Sequence, residues 1–449
     1  MIVVQSSQMK IEVTDNNKGQ KDKIEYDRKE ISALFPIAGK MLKDLCRNNP
    51  RLLIFPHCLK QSEDLEDDKP IFTIDNTSDS EKVCITAGNV MGFIGVKDIR
   101  LKIKSRFDAQ DKDYFLHYML HKVFSINLFD MNHGSKQEEV FDFLVCMFPC
   151  LLNRAMRQGV YKEYRRFQHN DANIKGTIDV SRHIVHNTPF VGNIAYTTRE
   201  YAHDNSMTQL IRHTIEYIKA RKLGMAVLSK DKVTKDNVKS IIDYTPSYSK
   251  SQRCTVISNN LRSKRHPFYT EYQPLQILCL QILRHERIKY GNDNDELRGI
   301  LFDGAWLWEE YVYTLLRGKG FKHPENKKGK GGILLFEEGR RKCFPDFYND
   351  DIVLDAKYKR LDSCSNVSSV GREDLYQLIT YMTRLQVTKG GFIAPLVEKQ
   401  SSVPCSKLKD VALSLSIFGI VVNNSVKSYE EFCKAMQQNE LDFLKSLEE

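Results

Sequence analysis

The stretch CFPDFYNDDIVLDAKYKR, Cys343 to Arg360, sets three charged side chains in what otherwise reads as a buried hairpin. Ile352, Val353 and Leu354 form a short β-branched, apolar run that predicts a strand in a sheet core. Asp355 and Lys357 follow at its C-terminal end, two residues apart and so on one face. Asp346 follows a proline, upstream of a predicted turn over Tyr348 to Asp351. Charges converging at a sheet end cost stability unless something compensates them, and a divalent cation does so. Phosphodiester hydrolysis needs phosphoryl charge neutralised, a water deprotonated and the leaving oxygen stabilised. Mg²⁺ held by a few carboxylates can serve all three needs. A lysine beside the ion can orient or help deprotonate the water. The spacing P-D-x8-D-x-K fits this chemistry. The competing reading is a surface hairpin closed by an Asp–Lys salt bridge.

The flanking segments add polar groups. In AWLWEEYVYTLLRGKGF a helix is predicted to end in the Arg317–Gly320 turn. Glu309 has Ala305, Trp306, Val312 and Tyr313 as its i±3 and i±4 neighbours, and Glu310 has Trp306, Leu307, Tyr313 and Thr314. Both settings are apolar, and the residues alone do not choose between the two glutamates. Further on, in EDLYQLITYM, Gln377 and Tyr381 share one helix face, with Asp374 one turn earlier. An amide and a tyrosyl hydroxyl there could hold a DNA backbone or a lysine; an ordinary amphipathic helix is the alternative. Basic residues cluster between these helices: Lys319, Lys322, Lys327, Lys328, Lys330, Arg340, Arg341 and Lys342. They suit a phosphate-lined cleft, against the alternative of a solvated turn.

These elements require a scaffold, and the chain is long enough for several. Its 449 residues predict an α/β multidomain protein with an N-terminal mixed α/β region (1–108), a mainly helical middle (109–294) and a C-terminal α/β domain (295–449). The last boundary is expected in the polar YGNDNDELRG, Tyr290 to Gly299, with the functions on either side separable. The first 25 or so residues read as a tail or loosely held strand, and Ser62 to Lys69 as an acidic loop. Asp98 to Phe107 alternates Ile99, Leu101 and Ile103 with Arg100, Lys102 and Lys104. Its basic face predicts solvent exposure or edge protection, with nucleic-acid binding as the sharper option. His117 and His121 have chelating spacing, but Tyr118 stands where the zinc-protease motif needs glutamate, so core packing is preferred. Helices are predicted over Asn205–Lys222 and Pro274–Ile288.

Composition narrows the class. The formal charge of +9, from 67 basic and 58 acidic residues, permits a nucleic-acid partner without demanding one. Eleven cysteines without a CxxC pair argue for reduced thiols and a cytoplasmic setting. No signal peptide is read at the start, and the longest apolar run, Val140 to Leu152, is too short to span a bilayer. No G-x-x-x-x-G-K-[ST] occurs, so the chain is expected to bind no nucleotide itself.

Taken together, LWEEYV, FPDF, LDAKYK and YQLITY resemble the PD-(D/E)xK restriction-endonuclease-like core, including the Q-x-x-x-Y motif of its RecB-like branch. From Gly88 to the C-terminus the chain resembles the McrC family, nuclease subunits of McrBC-type (5-methylcytosine) restriction systems. GNVMGFIGVKDIRLKIKSRF is similar to that family's strand pair before its helical region. NIKGTIDVSRHI is similar to its R-G-x-I-D segment, with Lys175 where arginine is usual, which loses the bidentate fork. The resemblance implies a Mg²⁺-dependent endonuclease (Mn²⁺ as the alternative ion) that cuts double-stranded DNA. It implies that Glu309, Asp346 and Asp355 are the metal positions, Lys357 the catalytic lysine, and Gln377 and Tyr381 the Q-x-x-x-Y pair. It implies a McrB-like AAA+ GTPase partner, stimulated by this chain, and no membrane. The rivals are a non-catalytic activator of that motor with a disused nuclease fold, and a stand-alone restriction endonuclease.

Overall fold

The Ile99–Lys104 strand shows why the alternating pattern exists: Ile99, Leu101 and Ile103 are buried in a sheet core. The structure, a computed structural model, describes residues 9–18, 24–41, 44–45, 49, 52–55, 70–97, 99–108, 113–124, 136–221, 224–262, 266–288, 297–324, 331–339, 341–361, 367, 370–400, 402–423 and 425–448. The sheet runs in the order Met9–Thr14, Ile99–Lys104, Val90–Val96, Arg298–Asp303, Leu52–Phe55. Gly92 is required at its centre, because its φ of +129° is left-handed and a Cβ would collide with the Ile300 carbonyl. The basic face does not do what the sequence predicts. Lys104 pairs with Glu12 at 2.6 Å, Lys102 pairs with Asp113, and the Arg100 guanidinium lies 5.6 Å from the Phe93 ring centre. The strand is internal, so it guards no edge, and its cations are engaged within the protein. Of the N-terminal tail, Met9–Thr14 is a paired strand with Ile11 fully buried. The Ser62–Lys69 loop lies outside the described residues.

The chain forms two compact units, Met1–Asp130 with Asp293–Glu449, and Met131–Asn292, where the sequence predicts three regions. The reason is the Arg298–Asp303 strand. It pairs antiparallel with Val90–Val96 and parallel with Leu52–Phe55, so the segment expected to begin a separate domain completes the N-terminal sheet. The Tyr114–Phe124 helix, assigned from sequence to the middle region, also belongs to the first unit and packs on the Gly304–Leu316 helix.

The first unit also holds a three-stranded sheet, Glu25–Asp27, Lys82–Ala87 and Phe72–Asn76, and a second five-stranded sheet, ordered Phe347–Tyr348, Ile352–Ala356, Lys389–Leu396, Ser414–Val421, Cys405–Lys407. Its three central strands are parallel and both edges antiparallel. The Arg372–Leu385 helix lies against this sheet because Gly390 leaves room, where a Cβ would collide with the Met382 sulfur. The C-terminal Tyr429–Ser446 helix is tied in by the buried Glu440, whose Oε1 accepts from Tyr118 Oη at 2.9 Å and Tyr311 Oη at 2.8 Å, while Lys122 pairs with Oε2 at 2.7 Å. A buried carboxylate with this many partners costs little to keep and much to unpair.

A second tie joins the two sheets. Asp15, fully buried, accepts from the Arg106 backbone N–H at 2.6 Å and from Arg106 Nε at 2.9 Å. The same guanidinium lies 4.9 Å from the Tyr358 ring centre, Tyr358 Oη is 2.7 Å from Ser105 Oγ, and Arg360 Nη2 donates to the Arg106 carbonyl at 2.7 Å.

The second unit packs Lys136–Met156, Ser206–Lys219, Lys232–Asp243 and Tyr272–Ile288 around buried Leu210, Ile215, Leu275 and Ile282. Asn205 caps the second of these, accepting from Met207 N and Thr208 N. The sequence did not announce its three-stranded antiparallel sheet, Glu163–Asp171, Ile194–Ala202 and Thr177–Ile178. Lys175 stands exposed beside it. Among the described residues no helix is long and apolar enough to cross a membrane.

A chain ending at Asn294 would lack the Arg298–Asp303 strand and leave Leu52–Phe55 and Val90–Val96 unpaired on facing edges. It should therefore lose the cooperative melt of the N-terminal sheet and become protease-sensitive there. Circular dichroism with limited proteolysis checks this, and a truncated chain as resistant as the full one would contradict the sheet order.

Candidate active site

The Ile352–Ala356 strand forms because Asn349 closes the turn before it. Its Oδ1 accepts from Asp351 N and Ile352 N, both at 2.9 Å. Val353 and Leu354 are then fully buried, and the next residue, Asp355, is carried into the interior at 2% exposure. Lys357 follows, held in line by its backbone N–H on the Ile393 carbonyl at 2.8 Å. Asp346, half-buried on the preceding segment, turns Oδ2 to the Ala356 N–H at 2.7 Å. The two aspartates thus meet at one strand end.

The Gly304–Leu316 helix resolves the choice between its glutamates. Asp303 caps it by accepting from Trp306 N at 3.1 Å, and Trp308 Nε1 donates to the Ile393 carbonyl at 3.2 Å. That fixes the rotation of the helix. Glu310 is then occupied by Trp306 Nε1 at 3.0 Å, whereas Glu309 reaches the site: its Oε1 is 3.8 Å from His323 Nδ1, and its charge acts on Asp346.

From the other side, the Arg372–Leu385 helix contributes Gln377 and Tyr381. Lys357 Nζ donates to Gln377 Oε1 at 3.3 Å, and Gln377 Nε2 donates to Tyr381 Oη at 2.8 Å. Asp374, one turn earlier, lies 3.2 Å from Lys357 Nζ and 2.7 Å from Lys359 Nζ. Every site residue singled out in the sequence therefore converges on this strand end. Two neighbours, Lys359 and His323, went unnoticed in the sequence, and Asp374 was noted there only for its place one turn before Gln377. His323 donates from Nδ1 to the Asp346 carbonyl at 2.8 Å and packs against Tyr313 and Phe347, with ring centres 4.5 and 5.0 Å away. Lys359 could have been found by its placement two residues from Lys357; His323 gave no such signal.

Of the basic cluster, Lys327, Lys328, Lys330 and Arg340 lie outside the described residues. Lys319 pairs with Glu448 at 3.0 Å, Lys322 lies 5.5 Å from the Tyr348 ring centre, and Arg341 and Lys342 are exposed.

The electrostatics of the cluster are dominated by negative charge. Burial, followed by repulsion from Asp355 and Glu309, pushes Asp346 well above the usual carboxylate range, against the pull of the Ala356 N–H and Lys357. Burial also raises Asp355, even though Lys357 opposes it. For Lys357 burial disfavours the ammonium, but Asp355, Asp374 and Asp346 outweigh it and hold the charge more firmly than in free lysine. Asp374 goes the other way: burial would raise it, and Lys359 and Lys357 bring it below its ordinary value. The Lys357–Asp355 pair is close, Nζ to Oδ2 at 2.7 Å, and largely buried on both sides.

Among the described residues no three His, Cys, Asp or Glu side chains close into a preformed metal cluster, His117 and His121 included. Nevertheless the donors fit a hard cation: they are carboxylate oxygens, close enough to repel one another. Asp346 and Asp355, with Glu309 behind Asp346, are the residues that could hold one.

The chain is thus a mixed α/β protein with carboxylates and a lysine at a parallel-strand end, and comparison with known proteins gives its family. Residues 85–395 match the model of the McrBC 5-methylcytosine restriction system component, a span of more than two-thirds of the chain, and the chain belongs to that family. It is similar in structure to the refined half-complex from the tetradecameric assembly of Thermococcus gammatolerans McrB AAA+ hexamers with bound McrC, at 14% identity, 98% of this chain, 99% of that one and a TM-score of 0.49. A second similarity is to the cryo-EM structure of the Thermococcus gammatolerans McrBC complex, at 16% identity, 71% and 90% coverage and a TM-score of 0.30. Among curated proteins no match was found.

The raised Asp346 makes a prediction for the metal-free chain. Its carboxyl ionises near pH 4 when unfolded and only at higher pH when folded, so stability should fall as pH rises between those two points. Asp346→Asn keeps an oxygen for the Ala356 N–H and cannot ionise. In chelator at neutral pH it should melt above the wild type, with the advantage vanishing below about pH 4. Equal melting curves across that range would mean the ionised carboxylate is held without cost.

Proposed function

We propose that this chain is the DNA endonuclease subunit of a modification-dependent restriction system, cleaving phosphodiester bonds with Mg²⁺ in complex with a McrB-like AAA+ GTPase that it stimulates. The observation that carries this reading is the convergence of Glu309, Asp346, Asp355, Lys357 and Gln377 on one strand end in a chain of this family. The second sheet with its flanking helices is read as a PD-(D/E)xK core. The partner reading rests on the family, whose description is that of a system component, and on the absence of a phosphate-binding loop in this chain.

A bound Mg²⁺ supplies charge neutralisation on the phosphoryl oxygens and a more acidic water. Asp346 and Asp355 would hold it, and Glu309, next to His323, would complete the acidic side. Mn²⁺ would suit the same oxygen donors. Lys357 remains charged in this setting, so its role is to orient the attacking water and offset charge developing on the phosphoryl group. Gln377, braced by Tyr381, holds the lysine. Exposed Arg341 and Lys342, close in sequence to Asp346, are assigned to the DNA backbone. The protein would act in the cytoplasm on double-stranded DNA.

Asp355→Ala should reduce cleavage of DNA by about a thousandfold, equivalent to about 4 kcal/mol of transition-state stabilisation, while the fold and partner binding persist. The assay is cleavage by the full chain with its motor partner, GTP and Mg²⁺; full activity in this variant sinks the assignment. If the wild type never cuts while it still stimulates the motor, the non-catalytic activator is the correct reading. Lys357→Ala should slow cleavage on the order of a hundredfold. Its Mn²⁺ affinity should be kept or raised, since the ammonium no longer occupies Asp355 Oδ2. Calorimetry showing metal binding lost with activity would refute that role.

A further inference from the structure

We propose that Asp374 is a positioning residue that keeps the Lys357 ammonium on the helix side of the site and so leaves Asp355 free for a divalent cation. The inference rests on the metal-dependent nuclease reading and extends it to a residue outside the recognised motif.

Lys357 has three acceptors around Nζ: Asp355 Oδ2 at 2.7 Å, Asp374 Oδ1 at 3.2 Å and Gln377 Oε1 at 3.3 Å. An ammonium has three donors, so all three positions can be engaged together. Only the first acceptor belongs to the strand that would hold metal; the other two come from the Arg372–Leu385 helix. A cation and an ammonium cannot share Asp355 Oδ2 without strong like-charge repulsion. With a cation on Asp355, Lys357 is driven toward the helix, where Asp374 offers it a carboxylate.

An acid in the first turn of a helix is ordinarily explained by the helix dipole alone. Three observations go beyond that. Asp374 is mostly buried, at 16% side-chain exposure, and is held ionised below its ordinary range by the two lysines. Its second oxygen pairs with Lys359 Nζ at 2.7 Å, so the carboxylate bridges the two lysines of the strand end. And Gln377, one turn on, is fixed by Tyr381 so that its oxygen, not its amide nitrogen, faces the lysine. The close packing allowed by Gly390 sets the helix at the distance this requires.

The test is Mn²⁺ titration by calorimetry on the full chain, in four forms: wild type, Asp374→Asn, Lys357→Ala and the double variant, each confirmed folded by its thermal melt. Without the Asp374 charge, Lys357 falls back on Asp355 and competes with the ion. Asp374→Asn should weaken Mn²⁺ binding about tenfold where Lys357 is present and less than about twofold in the Lys357→Ala background. Asp374→Glu, which keeps the charge, should restore binding to within about threefold of wild type. Equal weakening in both lysine backgrounds, or none, overturns the proposal, since a structural or purely through-space role does not depend on Lys357. If Asp374→Asn fails to fold, Lys359→Ala replaces it: by loosening the carboxylate it should weaken Mn²⁺ binding about threefold, again only where Lys357 is present. A wild type that binds no Mn²⁺ refutes the nuclease reading itself, an outcome distinct from failure of the cycle.

Discussion

Asp355 is an ionisable group at 2% exposure on the end of a parallel strand, and its burial organises the surroundings. Removing a carboxylate from water is costly, and one lysine at 2.7 Å recovers only part of that cost. The neighbours do not complete the compensation. Four carboxylates, Glu309, Asp346, Asp355 and Asp374, face the two ammonium groups of Lys357 and Lys359. A purely structural cluster would be expected to balance its charges or discard them for apolar packing. Here the imbalance is kept inside a well-packed sheet, with Val353 and Leu354 fully buried beside it. The proposed divalent cation gives that imbalance a purpose.

The strand that bears this cluster is not supported by its own domain alone. Tyr358 and Arg360 are engaged by Ser105 and Arg106 at the end of a strand of the N-terminal sheet, and Arg106 is fixed by Asp15. Magnitudes separate this tie from the surface pairs. Breaking a buried charged pair by removing one partner typically costs about 3–5 kcal/mol. An exposed pair such as Lys399–Asp442, at 72% and 36% exposure, is screened by solvent and contributes far less. Asp15–Arg106, with side chains 0% and 11% exposed, belongs to the first kind. Together with the Arg298–Asp303 strand it holds the N-terminal sheet and the candidate site in one compact unit.

Local patterns made much of this legible. The apolar run Ile352–Leu354, the turn residues before it and the glycine-terminated helix before that are all signals within a few residues, and they correctly brought Asp346, Asp355 and Lys357 to one place. Gln377 and Tyr381 followed from helical spacing. What was not legible depends on contacts between distant segments. Glu309 and Glu310 differ only in helix rotation, which is set by the Trp308 bond to Ile393, 85 residues away. The Arg298–Asp303 strand reads as the end of a polar linker until its partners Leu52–Phe55 and Val90–Val96 are known. The basic face of Ile99–Lys104 looked solvated because its ion-pair partners Glu12 and Asp113 lie on other elements. Likewise the paired strands Glu163–Asp171 and Ile194–Ala202 are built mostly from polar residues, so the apolar alternation that marks a strand is weak in their sequence.

The sequence DAKYKR shows how one short segment serves both the site and its support. Asp355, Lys357 and Lys359 turn toward the Arg372–Leu385 helix, where Asp374 receives both lysines. Tyr358 and Arg360, the intervening residues, turn toward Ser105 and Arg106. The alternation of a strand thus continues past Ala356, although the ladder there is reduced to the Lys357 N–H on Ile393. A slip of one residue would exchange the two faces, sending Tyr358 into the charged site and Lys357 into the aromatic contact with Arg106. The register is therefore specified twice, once by charge and once by the buried Tyr358, and neither specification depends on the other. That redundancy is what allows a strand end carrying uncompensated carboxylates to hold its lysine in a single position.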